Sequence, residues 1–379
     1  MGALMIDQPE NMFDQMMTDP RWHGFGYLRT RKFTLDASDP DFPAQTERVA
    51  EVDAFLLSIG LDYEALFGWA NSRDGRHFAD AVFGGGTIEE AVDQRIAPKG
   101  ARAVLHRVRA IDPGMDLGVV EQIDAMLDRI EADGVRILWA AESGSRAWGF
   151  PSPDSDYDVR FLYVRPASDY LSLRPHRDVI EHPVDETFDV NGWDVRKALR
   201  LLVKGNAAAG EWLRSPITYR GDAAARDLLL DTAAQVMPFD GLLGHHFHVA
   251  TNNLDLVRRT GRAKKFLYAL REAVTCRWLL AHGPGQVPPM DLPTLLAESD
   301  ASAEVAEAAG VLVDAKRHLV EGAGLPVALT PVLYDFVTQQ LATIADYREQ
   351  HPQAYDPEVA EATWKAVDET FLNLTKTEG

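Results

Sequence analysis

The stretch from Val135 to Val164 limits what this chain can fold into more than any other. Val135 to Ala141 is an apolar run of strand length that leads to the pair Gly144-Ser145. A loop rich in proline, serine and aspartate follows, Pro151 to Ser155, and a second extended run then opens on Asp156 and Asp158. The order reads as strand, tight loop, strand. Side chains alternate across a strand, so Asp156, Asp158 and Arg160 share one face while Tyr157, Val159 and Phe161 share the other. Neighbouring carboxylates raise each other's proton affinity unless something positive neutralises them. A divalent ion is the ordinary solution, and Mg²⁺ suits one or two carboxylates completed by substrate phosphates and water. Gly144 lets backbone approach an anion closely, Ser145 and the nearby amides are donors, and Arg146 adds positive charge at the same turn.

Gly144-Ser145 followed by Ser155-Asp156-Tyr157-Asp158 resembles the signature of the polymerase-β-type nucleotidyltransferases. The resemblance implies an α+β catalytic domain, a small mixed sheet with helices, in which Asp156 and Asp158 hold Mg²⁺ or Mn²⁺. It also implies a third carboxylate on a neighbouring strand, which binds the ion that activates the attacking hydroxyl and helps to remove its proton. Asp189 is the candidate, because Phe188 and Val190 on either side are apolar and alternation puts Asp189 on the polar face. Asp194 is the rival, with a role as N-cap of a helix over Val195–Lys204 at least as well supported. Glu186 ranks third. Between the two aspartates, Asn191-Gly192 reads as a turn.

Later segments sharpen the likeness. Gly192 to Leu201, Lys204-Gly205-Asn206, Glu211-Trp212-Leu213, Ser215-Pro216-Ile217 and Ala263 to Arg271 resemble the nucleotidyltransferases associated with bacterial RNA-repair operons, the RlaP type. The resemblance covers about residues 118 to 296, with one departure: Asn206 is followed by alanine where proline is expected. Lys264, Tyr268 and Arg271 fall on one helical face. That face offers two cations and a stacking ring to a nucleotide, or else forms a solvated basic surface. Between Asp194 and Gly283 there are 14 basic and 8 acidic residues, and after Pro284 there are 5 and 16. A basic cleft within an acidic protein suits a triphosphate. Read this way, neutralising Lys264 or Arg271 costs substrate affinity and barely affects unfolding.

The rest of the chain of 379 residues sets limits. A net charge of −20 argues against nonspecific nucleic-acid binding by the whole surface. Cys276 is the single cysteine, so no intramolecular disulfide forms. No apolar run approaches the roughly 18 residues of a membrane helix. The N-terminus shows no basic region followed by an apolar core, so no signal peptide is expected and the cytoplasm is the default. Residues 1–115 read as a helical domain, with a helix over Thr46–Leu66, a break at Gly84-Gly85-Gly86, a capping box at Thr87 and Glu90, and helix again over Ala101–Ala110. Residues 116–225 read as the catalytic domain, with an amphipathic helix over Leu117–Ile130. Residues 226–379 read as a helical bundle. His245 and His248 have the spacing of a zinc pair on one helix face, but no third ligand lies nearby, and a helical surface is the better reading.

The sequence thus points to a metal-dependent nucleotidyltransferase. Its nucleotide-binding residues are Gly144, Ser145, Arg146, Lys264, Tyr268 and Arg271, and Asp156, Asp158 and Asp189 are both metal ligands and catalytic residues. The expected partners are an NTP such as ATP and an RNA 3′ end, of tRNA or RNA under repair. Transfer of AMP or UMP to a protein, including a toxin–antitoxin role, is the alternative enzyme. A non-catalytic nucleotide sensor or antitoxin is the alternative of another class, and the intact carboxylate set argues against it.

Overall fold

A computed structural model describes residues 107–379, apart from 154, 183–186, 318–329, 353–355 and 377–379, together with scattered positions between 48 and 91. The chain forms two compact units, Met1–Arg107 and Val108–Gly379. In the first, the described positions are largely helical. Val52 and Leu56 are buried one turn apart within the helix expected over Thr46–Leu66. Gly84 to Gly86 and Glu90 lie outside the described residues.

The second unit opens with strand β1 (Arg107–Ala110), where the sequence suggested the end of a helix. Val108 packs against the apolar layer on one face of the sheet, and sheet pairing overrides the local helical pattern. Helix α1 (Leu117–Ala132) follows. Asp116 caps it through the Gly118 amide, and Val120, Ile123, Leu127 and Ile130 form its buried face. Strand β2 (Arg136–Ser143) leads into a single helical turn, α2 (Gly144–Ala147), in place of the expected loop. Strand β3 (Tyr157–Val164) runs back beside β2. Helix α3 (Ala167–Tyr170) and strands β4 (Val179–Glu181) and β5 (Phe188–Asp194) come next.

The Asn191-Gly192 turn does not form, because β5 continues through both residues to Asp194. Gly192 is needed there for another reason: a Cβ on it would lie 2.1 Å from the Phe161 ring of β3. The glycine makes room for an aromatic ring across the strand pair. Helices α4 (Val195–Val203) and α5 (Ala208–Leu213), strand β6 (Thr218–Asp222) and helix α6 (Ala223–Val236) complete this part of the chain.

Among the described residues, the sheet has six strands in the order β1-β6-β2-β3-β5-β4. Strand β3 is antiparallel to β2 and parallel to β5. One face is covered by α1, through Ile123, Leu127, Phe161, Tyr163 and Tyr219. The other is covered by α4, α5 and α6, which bury Leu138, Trp139, Leu162, Leu199 and Leu229.

Helices α7 (Phe239–Thr260), α8 (Ala263–His282), α9 (Leu292–Glu298), α10 (Ala303–Arg317) and α11 (Thr330–Gln350) pack around a separate core of Phe266, Leu270, Leu279, Leu312 and Val337. The last helix, α12 (Pro357–Thr375), returns to the sheet layer, where Val367 and Leu374 pack with α4 and α6. Residues 116–225 and 226–379 therefore do not separate as two domains. They share one unit, because the C-terminal helix helps to close the core on one sheet face. No described helix is long and apolar enough to cross a membrane.

Candidate active site

The alternation expected of β3 is present: Tyr157 and Val159 are buried, while Asp158 and Arg160 on the opposite face are half-buried. Asp156 is exposed, just before the strand begins. Parallel pairing sets Asp158 directly opposite Asp189. The Arg160 guanidinium lies between these two carboxylates. Its Nη2 is 3.0 Å from Asp158 Oδ1 and 2.6 Å from Asp189 Oδ2, and Nη1 donates to the Asp189 carbonyl at 2.6 Å. Asp194 stands apart from this group. It is buried at the N-terminus of α4, accepts from the Arg196 amide, and receives the Tyr170 hydroxyl. Glu186 lies outside the described residues.

The Gly144 turn approaches this carboxylate closely. Gly144 has a φ of +62°, and a Cβ on it would fall 2.0 Å from Asp158 Oδ2. Any side chain there would displace the carboxylate as well as strain the backbone. Ser145 is buried and donates to Ser155 Oγ at 3.0 Å. Arg146 donates to the carbonyls of Ser155 and Asp156 and lies 3.9 Å from the centre of the Tyr157 ring. Both side chains thus tie α2 to the start of β3, so in this state they shape the turn.

Burial pushes the Asp158 carboxyl above its ordinary value. Arg160 and Lys264 pull it down, while Asp156 and Asp189 push it further up. Lys264, in the first turn of α8, is therefore within electrostatic reach of the carboxylates. Tyr268, one turn further on, meets Trp148 edge to face at 5.0 Å. Trp148 caps the C-terminus of α2. Tyr268 thus packs the helix against the glycine turn.

Arg271 differs from what helical periodicity suggested. Its side chain is 1% exposed. It donates to Glu211 at 2.5 Å, to Glu272 at 2.6 Å and to the Met290 carbonyl at 2.8 Å. The shared face of Lys264, Tyr268 and Arg271 runs from the carboxylates into the core between α7, α8 and α9, and only its first turn is near them. A guanidinium already bonded to two carboxylates in the interior is not a phosphate ligand in this state.

Among the described residues, neither His245 nor His248 belongs to a three-ligand cluster, so the zinc reading of this pair finds no site. The two histidines instead line a cavity of about 480 Å³ together with Asp240, Arg348, Glu349 and His351. His246 is the buried one, and its Nδ1 meets Glu272 Oε2 at 2.5 Å. Glu211, His246 and Glu272 come together as a metal site would require. Both carboxylates, however, are already bonded to Arg271. Burial alone would raise Glu272, yet Arg271 and His246 hold its carboxyl below the usual range. The group is a buried ionic network in which, among the described residues, His246 Nε2 finds no hydrogen-bond partner.

Glu142 is a residue that strand reasoning passed over. It is fully buried next to the site, accepts from the Asp158 amide at 3.0 Å, and receives the Tyr219 hydroxyl. Burial raises its carboxyl to about 8, against the opposing effect of these hydrogen bonds. A carboxylate following an apolar strand, two residues before the glycine, was the available signal.

Asp158 and Asp189 present hard oxygen donors side by side at the start of β3 and β5, facing a turn that only glycine can make, with Asp156 exposed two residues before Asp158. Carboxylate donors of this kind fit Mg²⁺ or Mn²⁺. The chain is 38% identical to Uncharacterized protein YcgL of Bacillus subtilis (strain 168) over 224 residues, which cover 58% of this chain and 84% of that one. The model of the RNA repair pathway DNA polymerase beta family, RlaP, matches residues 119–373. That match runs past residue 296, from α1 into α12, and so takes in the helix that returns to the sheet. With the glycine turn and the carboxylates inside the matched region, the chain belongs to the RlaP family of polymerase-β-type nucleotidyltransferases, named for RNA repair.

Proposed function

We propose that this protein transfers a nucleoside monophosphate from an NTP to an acceptor hydroxyl, with an RNA 3′ end as the acceptor. The observation that carries the reading is the pairing of Asp158 with Asp189 across β3 and β5, against a turn closed to any side chain larger than glycine. Asp156, Asp158 and Asp189 would hold Mg²⁺ or Mn²⁺, which when bound supplies charge neutralisation at the phosphates and lowers the pKa of the attacking hydroxyl. The Gly144 turn presents backbone to the triphosphate, and Lys264 adds positive charge on the same side. The acceptor oxygen bonds to the α-phosphorus as the bond to pyrophosphate breaks, and Asp189 takes the hydroxyl proton. Family membership at the level of RNA repair supports RNA over protein as the acceptor.

The test is incubation with each labelled NTP, Mg²⁺ or Mn²⁺, and total RNA. Label entering RNA with the wild type and not with Asp158→Ala supports the reading. Label entering protein instead moves the acceptor to a protein hydroxyl, and no transfer under any combination removes the proposal.

A further inference from the structure

The place between Asp158 and Asp189 is already taken by a cation of the chain itself. Arg160 Nη2 is within hydrogen-bond reach of one oxygen from each carboxylate, and Nη1 is anchored on the Asp189 carbonyl at 2.6 Å. The side chain is 17% exposed, so water screens this contact only in part. An ion bridging the same two oxygens needs to sit at about 2.1 Å from each, a place that overlaps the guanidinium nitrogen. Both cations cannot occupy it.

We propose that Arg160 is a latch on the metal site, competing with the divalent ion for the Asp158–Asp189 pair and yielding when the ion binds. The inference rests on the reading of these two aspartates as ion ligands. Arg160 keeps the pair together at low metal, when two bare carboxylates would otherwise repel. Its guanidinium must leave one carboxylate for an ion to bridge both. The residue therefore sets the divalent concentration at which the site fills. It comes from β3 itself, two positions after Asp158, so strand alternation keeps it on the carboxylate face in every state.

The experiment is titration of Mn²⁺, with free ion followed by electron paramagnetic resonance and without nucleotide. The wild type is compared with Arg160→Gln, Arg160→Met and Arg160→Lys. Removing a unit charge within contact distance of the ligands should tighten Mn²⁺ binding at least about tenfold in the Gln and Met variants. The Lys variant, which keeps the charge, should stay near the wild type. Met keeps much of the side-chain length without a charge and carries the test if Gln disturbs folding. Unchanged or weaker binding in the neutral variants overturns the latch and leaves the aspartate site standing. Absence of Mn²⁺ binding in wild type and variants alike overturns both.

Discussion

Replacing Arg271 by alanine should unfold this protein much more easily, where a surface cation would cost almost nothing. The guanidinium is 1% exposed and holds Glu211, itself 16% exposed, and Glu272, 8% exposed. Truncation leaves two carboxylates in or near the interior without their partner. The burial of Glu272 is then opposed mainly by His246, which stays bonded to it, and by His245. Breaking a buried ion pair by removing one partner costs about 3–5 kcal/mol. For a cooperative unit of this size that corresponds to a drop in Tm of roughly 6–15 °C. The assay is thermal unfolding by circular dichroism or calorimetry, in low and moderate salt, since a buried network is little screened. Arg271→Lys should recover only part of the loss, because one ammonium cannot reproduce the forked contact. Arg271→Met combined with Glu211→Gln and Glu272→Gln should recover more, because no unpaired charge remains. A shift in Tm below about 2 °C for Arg271→Ala, together with weaker NTP binding, would refute the network and return Arg271 to the nucleotide.

Asp156→Ala and Asp158→Ala should each abolish nucleotide transfer while unfolding within about 1 kcal/mol of the wild type, because the contacts they lose are partly solvated; full activity with metal present removes the proposed chemistry. Gly144→Ala should suppress transfer and lower stability by about 1–2 kcal/mol, since its Cβ meets the Asp158 carboxylate at a positive φ; an active variant of unchanged stability contradicts the close approach. Lys264→Ala should shift unfolding little but weaken NTP binding by about 1.5–3 kcal/mol, measured by calorimetric titration; an unchanged affinity takes Lys264 out of the site. Glu142 holds a proton up to about pH 8 in the folded chain, whereas the unfolded chain releases it near 4.5, so stability declines between those values as pH rises, by at most about 5 kcal/mol. Glu142→Gln in EDTA should flatten that decline in urea unfolding at pH 5, 6.5 and 8, and an unaltered slope refutes it.

The candidate site was legible because its geometry is local. Strand alternation needs only the order of residues, and it places Asp158 and Arg160 together and Asp189 between two buried neighbours. The capping role of Asp194 is local as well, and its side chain accepts from the Arg196 amide two residues on. The layout of helices α7 to α11 was visible for the same reason, since each carries its apolar residues at helical spacing. Gly192 misled because glycine has two opposite uses. In a turn it supplies unusual backbone angles, whereas in β5 it makes room for the Phe161 ring, which lies across the strand pair and far away in sequence.

Arg271 and Glu142 show where local periodicity stops being informative. Periodicity says which residues share a face, but not what that face meets. The face of α8 that begins at Lys264 meets the carboxylates over its first turn and Glu211 of α5 two turns later. Glu211 and Arg271 are 60 positions apart. Glu142 is similar: its partner Tyr219 is on β6, 77 positions away, and the two meet only because β6 lies beside β2 in the sheet. Charge composition erred in the same direction. It counted Arg271 toward a basic cleft, although its charge is balanced inside the protein by Glu211 and Glu272. The cations that matter to the carboxylates are Arg160, fixed by alternation on their own strand, and Lys264, brought in by the fold. The site is therefore less basic than its surrounding sequence. Its positive charge is held within reach of Asp158, where a divalent ion would compete with it for the carboxylates and a triphosphate would compete with the carboxylates for it.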